Sequence, residues 1–184
     1  MTQQHENRRV RMTKRLLKDA LLELMEKQDL ISISVTAICE TADVHRSTFY
    51  NYYTDPVDLL REIEQDFLDR IPTPPEILNQ QNQKTLLAAT SEFFDFVKEN
   101  KRMIQILFSE SSGNNFYLRL VDHLCNGYIY IGENIDEPTA RFRRLYIANG
   151  TVGMMREWVN SDCPISSEEI AEMMYSLSRR ISQY

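Results

Sequence analysis

Arg46, Ser47, Thr48, Tyr50, Asn51 and Tyr52 crowd into one seven-residue stretch whose side chains can read nucleic acid. Arginine can pair bidentately with guanine, asparagine with adenine, and serine or threonine with either. Tyrosine hydroxyls reach phosphate oxygens. At helical spacing Phe49 turns inward, while Arg46, Ser47, Tyr50 and Asn51 turn outward. Ala42-Asp43-Val44 just upstream reads as a tight turn, since Asp tolerates positive φ better than most residues. Before that turn, Ser34 is a good N-cap for a short helix carrying Val35, Ile38 and Cys39. Two short helices joined this way form a helix-turn-helix, and the second helix of such a pair enters the major groove. Ser34, Val35 and Thr36 join the candidate contacts. Helix N-termini near Ser34 and Pro56 present backbone N–H groups and a positive dipole end to phosphates. Outside this context the same side chains read as a solvated face.

The charge distribution agrees. Residues 1–53 hold eight Lys/Arg against seven Asp/Glu, and residues 54–184 hold thirteen against twenty, within a net charge of −6. Arg8, Arg9, Arg11, Lys14, Arg15 and Lys18 supply most of the first group. A basic arm on an acidic body fits a polyanion-binding head on a body with another task. The plain alternative is a solvated, frayed terminus.

Other chemistries find little support. There is no Gly-rich phosphate loop, no HExxH and no nucleophile elbow, so no enzyme, metal or cofactor is expected. Cys39, Cys125 and Cys163 lie far apart, giving neither a disulfide framework nor a zinc site. A redox sensor would need a thiol with lowered pKa, and Cys39 falls among apolar helix positions. No run approaches the roughly 18 apolar residues of a membrane span, and the polar, basic start is not a signal peptide. The expectation is a soluble, reduced, cytoplasmic protein.

The elements that must position these residues are helical almost throughout. Leu16, Leu17, Ala20, Leu21, Leu24 and Met25 mark an amphipathic helix over about 10–28. Ile31–Val35 alternates like a strand but lacks a partner, so a linker ending in a helix cap is expected. Thr54-Asp55-Pro56 starts a further helix, and the prolines from Pro72 to Pro75 break the chain. Helical stretches follow over about 83–100, 101–109, 115–133 and 138–160. Ser166/Ser167 with Glu169 resembles a capping box opening a last helix. The fold class is all-α, about nine helices: a three-helix head over 1–71 and a helical ligand-binding and dimerisation body over 76–184.

The run from Ser34 to Leu60 resembles the DNA-binding head of TetR-family transcriptional regulators. Ile38, Ala42, Val44, Thr48-Phe49-Tyr50, Tyr53 and Leu59-Leu60 carry the resemblance. It implies a homodimer on a double-stranded, palindromic DNA operator, and a body holding a small-molecule effector whose binding releases the DNA. Two departures stand out. Asp43 replaces the family's usual turn glycine. The usual phosphate-anchoring lysine before Leu59-Leu60 is missing, with Asp55, Pro56, Val57 and Asp58 nearby instead. The Tyr52-Tyr53-Thr54-Asp55 variant resembles a Gram-positive subgroup that includes an activator working with a partner protein at dihydroxyacetone-kinase genes.

In the body, pocket candidates are Phe93, Phe96, Met103, Leu107, Phe116, Tyr117, Leu120, Tyr128 and Trp158, and any effector is expected to be apolar or aromatic. The alternative for each is plain core packing. Gly150 and Gly153 sit inside one helix, where Gly costs about 1 kcal/mol against Ala, so close helix approach is a reason to keep them. With Met154, Met173, Leu177 and Ile181 they form the candidate dimer surface. The leading functional expectation is a ligand-responsive repressor. The alternative is a co-regulator that docks another protein through a vestigial head.

Overall fold

The computed structural model describes residues 2–72, 83–109, 115–127 and 136–182, with side chains from Arg8 to Leu177 except that of Asn115. Tyr128, Pro74-Pro75, the expected helical residues beyond Gly127 and the side chain of Ile181 lie outside the described residues. Among these residues are nine α-helices, one 3-10 turn and no strand, in keeping with the all-α expectation. The helices are α1 (Thr2–Met25), α2 (Val35–Ala42), α3 (Arg46–Tyr50), α4 (Pro56–Arg70), α5 (Gln83–Glu99), α6 (Lys101–Leu107), α7 (Asn115–Gly127), α8 (Glu137–Asn160) and α9 (Ser167–Ser182). The chain divides into two units, one running to Asp69, the other comprising Arg70–Phe108 and the chain from α7 onward.

In the first unit, α1 buries Leu17, Ala20, Leu21 and Met25, an i, i+3, i+4, i+8 stripe. It begins at Thr2, upstream of that stripe. The linker expected at Ile31–Val35 contains a 3-10 turn at Leu30–Ser32, with Ile31 95% exposed and Ile33 buried. An alternating pair of isoleucines has no ladder to join there, so one is buried and the other left in water. Ser34 then caps α2, its Oγ accepting from Ala37 N at 3.1 Å. Phe49, Leu59, Ile63 and Phe67 close the core of this unit, each at most 2% exposed. Burying one such side chain contributes about 1.5–3 kcal/mol.

In the second unit, α5 packs on α9, and α7 on α8. Phe94 and Trp158 meet edge to face at 5.3 Å, and the indole Nε1 donates to the Ile165 carbonyl at 3.0 Å. Asp136 caps α8 through Thr139 N, with Pro138 in the first turn. At its other end, α8 stops in a left-handed pair, Asp162 and Cys163, with Cys163 N donating back to Trp158 O at 2.8 Å. The capping box expected at α9 is present. Glu169 N donates to Ser166 Oγ at 3.1 Å, and Ser166 N to Glu169 Oε2 at 2.7 Å.

Candidate nucleic-acid interface

Asp43 closes α2 in the left-handed conformation, φ 52° and ψ 49°. Val44 N donates to Cys39 O at 2.9 Å and Asp43 N to Glu40 O at 3.4 Å, the two bonds of a Schellman ending. That ending reverses the chain within two residues and starts α3 after His45. The turn therefore forms without the glycine that the resemblance implies, at the cost of holding a Cβ where L-residues are strained.

α3 is anchored by Phe49, fully buried, and by Tyr53, 3% exposed, whose rings lie 5.6 Å apart. On the other side Arg46, Ser47, Tyr50 and Asn51 are exposed, Tyr50 by 53%. Ser47, Tyr50 and Asn51 are spaced i, i+3, i+4 and share a face. Thr48 and Tyr52 are half-buried, so a smaller part of each is presented to solvent. At the start of α2, Ser34 is exposed, and Val35 and Thr36 are half-buried.

The N-terminus of α4 departs from expectation. Asp55 Oδ1 accepts from Asp58 N at 2.8 Å, and Asp58 Oδ2 accepts from Thr54 N at 3.0 Å. These two carboxylates satisfy the helix entrance, so the N–H groups expected there for phosphate are met partly from within the chain. Pro56, next to them, has no N–H to give.

Sequence reasoning missed a cluster between α1 and α4. Lys14 Nζ lies 2.9 Å from Glu62 Oε2, and Lys18 Nζ 2.7 Å from Glu62 Oε1, with Asp66 also on Lys18. The same ammonium of Lys14 stands over the Tyr53 and Tyr52 rings, 5.4 and 5.8 Å from their centroids. Burial pushes the Glu62 carboxyl up, but the hydrogen bonds and charges of Lys18 and Lys14 outweigh it and hold the group below its ordinary value. Burial works against the Lys18 charge, and Asp66 with Glu62 overcomes it, raising that group. Burial, then the negative charge of Glu62, pushes the Tyr53 phenol up. The signal was present as matched four-residue spacing, Lys14/Lys18 against Glu62/Asp66, across a separation of 48 residues.

Of the body's candidates, Phe93, Phe96, Leu107, Phe116, Leu120 and Trp158 are buried, and Met103 and Tyr117 half-buried. Phe116 packs against Phe108 at 5.2 Å, and Tyr117 donates to Asn149 Oδ1 at 2.7 Å. Met173 and Leu177 on α9 are each 48% exposed. Gly150 is exposed, Gly153 and Met154 are half-buried, and a Cβ built on either glycine meets nothing within 4 Å. Tyr146 and Phe142, on the same stretch of α8, are 66% and 72% exposed. Burial raises the thiols of Cys39, Cys125 and Cys163, the opposite of an activated sensor cysteine. No described helix is long and apolar enough to cross a membrane.

A buried aromatic anchor, a left-handed turn and an outward polar helix face define a helix-turn-helix regulator. Residues 84–180, more than half of the chain, match the TetR-type family described as "Transcriptional regulator C-terminal region". The chain belongs to the TetR family of transcriptional regulators. It is 29% identical over 120 residues to the HTH-type dhaKLM operon transcriptional activator DhaS of Lactococcus lactis subsp. lactis (strain IL1403), covering 64% of this chain and 61% of that one. It is 20% identical over 171 residues to the uncharacterized HTH-type transcriptional regulator YxbF of Bacillus subtilis (strain 168), covering 88% of this chain. The match spans 43% of YxbF, so in both relatives it covers less than two thirds of their length. The fold is similar to a TetR transcriptional regulator from Streptococcus agalactiae 2603V, with TM-score 0.69, 20% identity and 95% and 98% of the two chains covered. It is also similar to the dihydroxyacetone kinase operon activator DhaS, with TM-score 0.62, 20% identity and 93% and 96% covered.

Proposed function

We propose that this regulator binds a near-palindromic DNA operator as a homodimer, with α3 of each protomer in the major groove. Residues 1–71 act as the DNA-binding domain and residues 76–184 as the ligand-binding and dimerisation domain. The observation that carries the reading is the division of α3. Phe49 is fully buried beneath it, while Arg46, Ser47, Tyr50 and Asn51 face solvent together. A helix with this division has its base-reading side chains free and its backbone fixed, as groove entry requires. Thr48, Tyr52, Ser34, Val35 and Thr36 contribute contacts at its margins.

The exposed apolar side chains of α8 and α9, with the uncrowded Gly150, support a surface that a second copy covers. Isologous pairing of two copies gives the two-fold axis that a palindrome mirrors. An apolar or aromatic effector held among the aromatic residues of the body releases the operator, making the chain a repressor. A second reading keeps the operator and reverses the sign, and it is favoured by DhaS, which is named an operon activator.

The test is a mobility shift of the chain's own promoter DNA at low salt, alongside a reporter driven by that promoter. A sequence-selective shift with reporter output rising on deletion of the regulator supports the repressor. The same shift with output falling supports the activator. Absence of any selective shift removes both.

A further inference from the structure

The cluster between α1 and α4 reaches the recognition helix through one ammonium. Lys14 Nζ donates to both oxygens of the Glu62 carboxylate, at 2.9 and 3.2 Å, and the two side chains are each 31% exposed. The same ammonium stands 5.4 Å from the centroid of the Tyr53 ring and 5.8 Å from that of Tyr52. Both rings are tied to α3. Tyr52 N and Tyr53 N donate to the Phe49 carbonyl at 2.9 and 3.0 Å, so these residues extend its last turn. Tyr53 packs on Phe49 at 5.6 Å, and Phe49 meets Tyr50 edge to face, also at 5.6 Å. A line of contacts thus runs from a carboxylate on α4, through a cation on α1, to the exposed face of α3. α3 has five residues, and its N-cap, His45, makes no side-chain cap bond. Helices shorter than about 12–15 residues are marginal on their own. The direction of α3 is therefore set by what Phe49 and its last turn pack against.

We propose that Lys14 is a positioning residue for base reading: held by Glu62, its ammonium clamps the Tyr52 and Tyr53 rings and so aims Arg46, Ser47, Tyr50 and Asn51. The inference rests on the DNA-binding reading above. It assigns Lys14 a task inside the protein, because its charge is already paired with Glu62. The face of an aromatic ring is the negative side of its quadrupole, so a cation partly shielded from water attracts it. A lysine stem is flexible and would not hold such a position unaided. The carboxylate supplies the second fixed point, and Lys18, 2.7 Å from Glu62 Oε1, keeps that carboxylate in place. Phosphate contacts add affinity without reading sequence. Loss of a residue that only aims α3 therefore acts on selectivity and leaves the salt dependence alone.

The full chain is titrated onto its operator and onto unrelated duplex of equal length, across a series of salt concentrations, by fluorescence anisotropy. The operator is first obtained by selection from a random pool. Binding is measured well below the melting transition of each variant, which circular dichroism locates. In Lys14→Met the ratio of operator to unrelated affinity falls by about 3- to 30-fold, the span of a single cation–π contact. The slope of log affinity against log salt stays at its wild-type value. Lys14→Arg, which keeps a cation able to stack on the rings, restores the ratio to within about twofold. The double variant Lys14→Met/Glu62→Gln has the wild-type net charge and loses the ratio as Lys14→Met does, which separates aim from charge. If Lys14→Met keeps the wild-type ratio and only melts earlier, Lys14 is structural and the proposal falls, while the DNA reading stands. A slope lower by about 0.9 per protomer with the ratio unchanged would make Lys14 a phosphate contact and overturn the proposal. If the wild type selects nothing at low salt, the DNA reading fails and this inference with it.

Discussion

Asp43 gives a direct test of how the turn holds the recognition helix. Its φ of 52° and ψ of 49° lie in the left-handed region, and its side chain is exposed, so substitutions there act mainly through the backbone. An ordinary L-residue pays about 1–2 kcal/mol in that region, and Asp less, because its short polar side chain can bond locally. Valine is worse, since a β-branched residue at positive φ is an outlier. Asp43→Val should therefore cost about 1–2 kcal/mol, a fall of roughly 2–8 °C in melting temperature for a chain of this size. Glycine removes the strain but gives back about 0.4–1 kcal/mol through the greater freedom of its unfolded chain. Asp43→Gly should therefore melt within about 3 °C of wild type, the shift expected for under 1 kcal/mol. Melting is followed by circular dichroism, with operator affinity measured in parallel. The valine variant should bind the operator more weakly, because the turn sets the angle between α2 and α3. A valine variant that melts with wild type and binds normally would refute the view that this backbone conformation is strained and needed.

Three further outcomes follow from particular contacts. Glu62→Gln should lower the melting temperature by about 2–4 °C near neutral pH, since these partly exposed pairs contribute about 1 kcal/mol at most. The sign of its pH dependence is set by the lowered Glu62 value: the stabilisation is present above the ordinary 4.5 and is lost as pH falls through the folded value. The gap to wild type should close in acid, and a gap that widens there would contradict the pairing. Lys18 behaves oppositely: its contribution is present below 10.5 and is lost as pH rises through its raised value, visible as a second fall in melting temperature in strong alkali. Gly150→Leu should raise the dimer dissociation constant in sedimentation without loss of helix content, because nothing in its own chain crowds that position. Unchanged association would remove α8 from the proposed interface.

The helices were legible because their apolar stripes and caps are local. Leu17–Leu21 and Ser166–Glu169 announce themselves within one or two turns. The turn at Asp43 was legible from residue type. The linker at Ile31–Val35 was legible because no second strand lies nearby in sequence, and Thr54-Asp55-Pro56 marked the start of α4, where Asp55 caps. Two features were not. Asp58 reaches back to accept from Thr54 N, a role set by geometry over four residues. Lys14 and Lys18 read as part of one basic arm, and only the approach of α4 separates them from the arginines.

Selection from a random-duplex pool by the full-length chain tests the placement of α3 in DNA most directly. The expected outcome is an inverted repeat whose half-sites lie one helical turn, about 10 base pairs, or a multiple of it apart. Arg46→Ala should then relax preference at a single base pair per half-site, by about 1–3 kcal/mol. A pool with no enriched sequence, or an enriched site whose base preferences survive unaltered in both Arg46→Ala and Asn51→Ala, would contradict it.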